Sequence, residues 1–136
     1  MHTTNYYNIL IEVADDCPVK VAEAPPIKGN RKSVANLQFE MVQKHPYQFT
    51  SDDVLFDIFA QRQDLSESER EEARKKFFSK GQPCFRASPL PKRYGWGVHS
   101  DAKGKIALLA VESGEYQKLV DDKNTQHTKA MRSKRA

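Results

Sequence analysis

The stretch that decides the fold is Gly95-Trp96-Gly97-Val98-His99-Ser100-Asp101-Ala102-Lys103-Gly104-Lys105-Ile106-Ala107-Leu108-Leu109-Ala110-Val111. Residues 95–100 and 105–111 have the composition of two strands, and the turn residues at 101–104 predict that they form a β-hairpin. Residues 106–111 are apolar at every position, so we expect both faces of the second strand to be covered. That strand is therefore predicted to lie in the centre of the sheet.

Two further segments outside the hairpin predict strands. Residues 6–13 are rich in aromatic and β-branched side chains, and residues 84–87 form a short run after a proline. Residues 15–30 contain three prolines and have no apolar periodicity. They predict an irregular connector that runs over the surface of the domain.

Helices are predicted by N-cap residues followed by apolar side chains at helical spacing. The expected caps are Ser33, Thr50 or Ser51, Ser66 and Ser113. The second of these helices has an alternative, because Val54, Phe56 and Ile58 alternate as in a strand. Together the elements predict an α+β domain in which a small, mainly antiparallel sheet of about four strands carries helices packed on one face.

The positive charge of the chain is concentrated near its C-terminal end. The chain has 22 basic and 18 acidic residues and a net charge of +4. Five basic residues and no acidic ones follow Asp122, which leaves 17 basic against 18 acidic residues in the rest of the chain. We therefore expect a single domain at 1–122 and a basic, flexible tail at 123–136. The near-neutral body argues against a nucleic-acid partner, except for weak binding through the tail.

The composition predicts a soluble, cytoplasmic protein without a membrane partner. No apolar run approaches the roughly 20 residues needed to cross a bilayer, and residues 1–5 have none of the features of a signal peptide. The two cysteines, Cys17 and Cys84, are expected to be free thiols. No cofactor motif is complete, so no cofactor is predicted.

Residues 84–101 are predicted to hold the functional site. They combine the only tryptophan, one of the two cysteines and several basic residues with prolines and glycines that shape the backbone. The chemistry favours a small anionic or nucleotide-like ligand, or a protein partner, because the cations can bind negative charge and the aromatic rings can stack on a base. The predicted site residues are Arg86, Lys92, Arg93, Tyr94, Trp96 and His99.

Other functions remain open for the same segment. It could belong to a small enzyme in which Cys84 is a nucleophile or His99 a base, since a thiol needs a neighbouring imidazole or cation to form the thiolate. His99 and Asp101 could contribute to a metal site, but no zinc-type pair of His or Cys residues is present, and no metal is predicted. The chain could also be a protein–protein interaction module with an exposed apolar patch.

The predicted site residues also have a purely structural interpretation. Trp96 can pack in the core while Lys92 and Arg93 stay solvated. Arg86 can pair with an acidic residue of the second helix: Asp52, Asp53 or Asp57. Convergence of Arg86, Trp96 and His99 on one concave surface would favour a site over these structural roles.

Four strings of the sequence also carry a resemblance: Met1-His2-Thr3-Thr4-Asn5-Tyr6, Thr50-Ser51-Asp52-Asp53-Val54-Leu55-Phe56, Phe78-Ser79-Lys80-Gly81-Gln82-Pro83-Cys84, and Arg86-Ala87-Ser88-Pro89-Leu90 through Arg93-Tyr94-Gly95-Trp96-Gly97. On these strings the chain resembles, over almost its whole length, a family of small bacterial proteins described as a domain of unknown function. The resemblance implies a bacterial, cytoplasmic protein. It implies no activity, cofactor or catalytic residue.

Overall fold

A computed structural model describes residues 1–133 of the chain. Within them, four strands, five helices and a 3₁₀ turn follow in the order β1 (Ile9–Glu12), α1 (Val34–Lys44), α2 (Ser51–Arg62), α3 (Glu67–Phe77), the 3₁₀ turn (Phe85–Ala87), α4 (Pro89–Arg93), β2 (Trp96–Ser100), β3 (Ile106–Ala110), α5 (Gly114–Asp121) and β4 (Gln126–Lys129). The α+β class is confirmed. Residues 134–136 of the expected tail lie outside the described residues.

The four strands form one mixed sheet in the order β3-β2-β1-β4. β2 pairs antiparallel with both β1 and β3. The predicted hairpin is confirmed, because Trp96 lies opposite Ala110 and Ser100 lies opposite Ile106. β4 instead runs parallel to β1, so the sheet is not wholly antiparallel.

The fourth strand does not lie where the sequence predicted it. The strand predicted at 84–87 is wrong, because Phe85–Ala87 forms a 3₁₀ turn between two prolines. β4 lies within 123–136, the segment that was expected to be a tail. Its side chains are largely exposed, and the backbone holds it: the ladder with β1 is followed by a hydrogen bond from Ala130 N to the Glu12 carbonyl at 2.9 Å. A strand of this kind has no apolar alternation that would reveal it in a sequence.

β3 is covered on both faces, as its sequence predicts, but it lies at the edge of the sheet rather than in the centre. The chain between α1 and α2 occupies the edge. Tyr47 N donates to the Ile106 carbonyl at 2.8 Å, and Ile106 N donates to the Phe49 carbonyl at 2.9 Å. An irregular segment thus pairs with the edge strand where another strand was expected.

Helices cover the sheet on both faces, which differs from the expected one-sided arrangement. Alternate residues of a strand point to opposite faces. Ile11, Val98 and Leu108 pack in the main core with residues of α1, α2 and α4. Leu10 and Leu109 point the other way and pack with Tyr116 of α5. The second layer begins immediately after the hairpin, where Ser113 caps α5 by accepting a hydrogen bond from Tyr116 N at 3.1 Å.

The expected caps define the first residues of the long helices. Ser33 and Thr50 each accept a hydrogen bond from the backbone N–H three residues later, and the N-cap N–H of Ser66 donates to the Glu69 carboxylate at 2.9 Å. Residues 54–58 are helical, so the alternative strand in this region is wrong. Burial of the α2 side chains is not confined to one narrow stripe, which explains why their spacing also fits a strand.

Gly97 is required by the packing of Tyr116 on β2. A Cβ at position 97 would lie 2.5 Å from a carbon of the Tyr116 ring. We therefore expect Gly97→Ala to lower the free energy of unfolding by about 1–3 kcal/mol, the usual cost of overpacking. Urea unfolding followed by circular dichroism measures this change.

Gly114→Ala is the matched control, because a Cβ at position 114 meets nothing within 4 Å. Position 114 is the first residue of α5, where alanine is tolerated and can stabilise by up to about 1 kcal/mol. Equal stabilities for the Gly97→Ala and Gly114→Ala variants would contradict the close contact between Gly97 and Tyr116.

Candidate functional site

The segment 84–101 folds into short elements. Ser88 caps α4, since its Oγ accepts a hydrogen bond from Leu90 N at 3.2 Å, and Pro89 occupies the first helical position. Gly95 follows the helix with φ of +80°, a left-handed conformation that favours glycine. The prolines and glycines of this segment therefore start and end a single helical turn and direct the chain into β2.

A buried polar contact ties α4 to α1. The Ser88 hydroxyl donates to Oε1 of Gln38 at 2.6 Å, and both side chains are buried. Buried polar groups are costly unless they are hydrogen-bonded, so this pair specifies how the two helices pack. The contact also places Pro89, at the start of α4, beside Val34, the first residue of α1.

Arg86 connects the 3₁₀ turn to the last strand. Its Nε donates to the Lys129 carbonyl at 2.8 Å, and its own carbonyl accepts a hydrogen bond from Met131 N at 2.8 Å. The acidic partners considered for Arg86 bind elsewhere: Asp52 accepts from Thr3 and Thr4, Asp53 pairs with Arg74, and Asp57 pairs with Arg70. These contacts give Arg86 a structural role in holding the end of the chain against the turn.

Trp96 holds the connector against α1. Its indole Nε1 donates to the Glu23 carbonyl at 2.9 Å, and its ring centroid lies 5.3 Å from that of Phe39. Lys92 lies on α4 and lines neither of the two cavities described below. Trp96 lines neither of these cavities either.

His99 lies on the opposite face of β2 from Trp96, because three positions separate them along the strand. Its Nδ1 is 2.8 Å from the Tyr47 hydroxyl. Burial lowers the pKa of His99, while Asp101 acts in the opposite direction, and burial raises the pKa of Tyr47. At neutral pH the pair is thus an uncharged imidazole facing an uncharged phenol. Arg86, Trp96 and His99 do not converge.

Arg93 and Tyr94 do share a cavity. It has a volume of about 360 Å³ and lies between the connector, the start of α1 and the end of α4. Two further cations also line this cavity: Lys28, near the end of the connector, and Arg31, which directly follows the connector. We call this the basic cavity. Its remaining lining residues are Pro26, Ser33, Val34, Ala35, Asn36 and Pro89.

The connector is held in place at the basic cavity by Asn36. Its Nδ2 donates to the Pro25 carbonyl at 2.9 Å, and its Oδ1 accepts a hydrogen bond from Ser33 N at 2.8 Å. Lys28 and Arg31 face each other across an isolated antiparallel bridge, with Gly29 between them at φ +64°. This tight turn thus brings two cations close to the N-terminus of α1.

The charge of the basic cavity is entirely positive. Lys28, Arg31 and Arg93 line it and no acidic side chain does. Over the described range 1–133, none of these three cations forms a salt bridge, whereas the adjacent Lys32 pairs with Glu40 at 2.7 Å. The first turn of α1 contains no acidic residue, so its backbone N–H groups add to the positive potential. The arrangement is suited to a small anion.

Sequence reasoning missed Lys28 and Arg31. They lie about 60 residues from Arg93 in the chain, and only the folded connector brings them together. A signal was present, since the basic run Lys28-Gly29-Asn30-Arg31-Lys32 directly precedes the helix cap Ser33. Cations beside a helix N-terminus are a common arrangement for binding anions.

A second cavity of about 400 Å³ adjoins the basic cavity, because Val34 and Pro89 line both. We call it the apolar cleft. Its floor and walls come mainly from α2 and from the aromatic end of α3: Leu55, Ile58, Phe59 and Phe77. Cys84 also lines the cleft, and its Sγ lies 3.6 Å from the Tyr6 hydroxyl. Burial raises the pKa of Tyr6, and its hydrogen bond to Cys84 acts in the same direction.

Cys84 and His99 do not form a nucleophile–base pair. The thiol of Cys84 contacts the Tyr6 hydroxyl. The imidazole of His99 instead contacts the Tyr47 hydroxyl, on the face of β2 opposite Trp96. No group of three or more His, Cys, Asp or Glu residues that could hold a metal ion occurs in residues 1–133. None of the helices in this part of the chain is long and apolar enough to cross a membrane.

A family of unknown function, DUF6157, matches residues 1–136. The chain belongs to this family. Neither the curated proteins nor the solved structures provide a match. This match confirms the resemblance to a family of unknown function, and the description of DUF6157 supplies no reaction or ligand.

Three of the four strings meet around the N-terminal segment. Thr4 N and its hydroxyl both donate to the buried Asp52 carboxylate at 2.7 Å. His2 N donates to the Phe78 carbonyl at 2.9 Å. The strings at 1–6, 50–56 and 78–84 therefore form one contact region, in which the Asp52 carboxylate binds the N-terminal segment to α2 and the backbone bond of His2 joins it to Phe78.

The folded protein is expected to lose stability as the pH falls below about 6.5. The folded pKa of His99 lies below its ordinary value of 6.5, so the unfolded chain takes up this proton first as the pH falls. The contribution of neutral His99 to the free energy of unfolding is complete above pH 6.5, and it is lost as the pH falls from 6.5 through the folded pKa. His99→Gln should flatten the pH dependence of the urea midpoint between neutral and mildly acidic pH.

His2→Gln is the control, because it removes an exposed histidine. It should keep the pH dependence of the wild type. A His99→Gln variant whose urea midpoint falls as steeply with acid as that of the wild type would contradict the assignment to His99.

Proposed function

We propose that the protein binds a small anionic, nucleotide-like ligand in the basic cavity. The observation that carries this proposal is the convergence of Lys28, Arg31 and Arg93, none of them salt-bridged within residues 1–133, on one cavity without an acidic side chain. Its volume of about 360 Å³ falls within the range of roughly 300–1,000 Å³ typical of small-molecule sites.

The cavity has the groups needed to bind a phosphate. Arginine binds phosphate through paired N–H donors, and lysine adds a compact positive charge. Tyr94 lines the same space and supplies an aromatic surface on which a base or sugar can lie. Of the predicted site residues, Arg93 and Tyr94 thus belong to the proposed site. Lys28 and Arg31 join them, and Arg86, Lys92, Trp96 and His99 are not part of it. The free thiols Cys17 and Cys84 support a proposed cytoplasmic location.

The test is a calorimetric titration with inorganic phosphate and with adenosine monophosphate at low salt. We expect both to bind the wild type and Arg93→Gln to weaken both. Removal of one charge-assisted hydrogen bond costs about 1.5 kcal/mol, which corresponds to a dissociation constant about tenfold higher.

Arg132→Gln is the matched control, because it removes the same charge from an exposed arginine that lines neither cavity. It should bind phosphate within twofold of the wild type. The proposal is wrong if phosphate does not bind the wild type, or if Arg93→Gln and Arg132→Gln have the same affinity.

A further inference from the structure

The basic cavity and the apolar cleft lie next to each other. Val34 and Pro89 line both, and these two residues are brought together by the packing of α4 on α1. Val34 remains 39% exposed although it is a large aliphatic side chain at the start of a helix. A ligand can therefore extend from one cavity into the other over an apolar junction.

The apolar cleft has the character of a binding site for hydrocarbon. Leu55, Phe59 and Phe77 line it and are only partly buried, so a ligand placed there would remove their remaining surface from water. Arg62 is the one charged residue among its lining residues. The basic cavity thus has three cations in its lining, whereas the lining of the apolar cleft is mainly hydrocarbon with one cation, Arg62.

We propose that the ligand is a free, single-chain amphipathic phosphate, with its phosphate in the basic cavity and its hydrocarbon chain in the apolar cleft. This inference rests on the proposed function, because it names the class of molecule that occupies the anion site. It assigns a binding role to Leu55, Phe59 and Cys84, which the anion site alone does not use.

The position of the apolar cleft between helices favours a free molecule over a lipid in a bilayer. The cleft, with about 400 Å³, lies between α1, α2, the end of α3 and the segment around Pro83–Pro89. A hydrocarbon chain bound between these elements lies outside a bilayer. The cleft adjoins the basic cavity at Val34 and Pro89, and at Phe59 and Phe77 it adjoins a further cavity that Lys76 and Lys80 line. A single-chain phosphate in solution fits this arrangement.

The first measurement is the affinity for methyl, butyl and octyl phosphate, each kept below its micelle-forming concentration. Burial of one methylene strengthens binding about fourfold. We expect octyl phosphate to bind at least tenfold tighter than butyl phosphate, since it adds four methylenes of which only part need be buried. Arg93→Gln should weaken all three ligands.

Two leucine variants test where the chain lies. Leu55 lines the apolar cleft, whereas Leu119 belongs to α5 and packs on the opposite face of the sheet. Both side chains are partly buried. Leu55→Gln should lower the ratio of octyl to butyl affinity several-fold. Leu119→Gln should keep the ratio of the wild type. The ratio is taken within each variant, so a general loss of stability does not imitate the effect.

The two cysteines give a second readout on the unchanged protein. Cys84 lines the apolar cleft and Cys17 does not, and both are free and partly buried. Octyl phosphate should slow the alkylation of Cys84 at least fivefold and leave Cys17 unaffected, as measured by mass spectrometry of the peptides. Methyl phosphate should protect neither thiol.

The outcomes separate this inference from the proposed function. If methyl phosphate binds and chain length has no effect, the inference is overturned and the anion site stands. If no phosphate binds, both are overturned. Octyl phosphate that binds tightly but is insensitive to Arg93→Gln would also overturn both. Binding to phosphatidic acid vesicles without binding to octyl phosphate would overturn the free ligand in favour of a membrane.

Discussion

The burial of β3 on both faces is the constraint on which the rest of the structure depends. Ile106 and Leu108 need one covering layer and Ala107 and Leu109 need another, since exposure of either set would leave apolar surface in water. The chain supplies one layer from α1, α2 and α4, which precede the hairpin, and the other from α5, which follows it. The segment between α1 and α2 then closes the open edge of β3 through backbone hydrogen bonds to Ile106.

The layer above the hairpin also creates the candidate site. α4 is a single helical turn that buries Leu90 in the core beside Val98 of β2, and the buried contact of Ser88 with Gln38 ties its first residues to α1. The connector crosses the same region and is held there by Asn36 and by the indole of Trp96. Trp96 thus contributes to the site indirectly, because it positions the connector that brings Lys28 and Arg31 to the basic cavity.

Local patterns predicted much of the fold and little of the site. The hairpin and the caps at Ser33, Thr50, Ser66 and Ser113 depend on neighbouring residues, so their signals are complete in the sequence. β4 was missed because its pairing with β1 comes from backbone groups that every residue has. The sequence of residues 84–87 predicts a strand because its short apolar pattern does not show the turn that the flanking prolines and the Ser88 cap impose.

The sequence by itself determined the α+β class, the hairpin and the main helix starts, and it predicts a site in the segment that contains Arg93 and Tyr94. Only the tertiary structure decided which of the predicted residues share a surface. It separated Arg86, Trp96 and His99, and it joined Arg93 to cations about 60 residues earlier in the chain. The physical reason is that caps and turns are satisfied within a few residues, whereas a cavity forms where distant segments pack without filling the space between them.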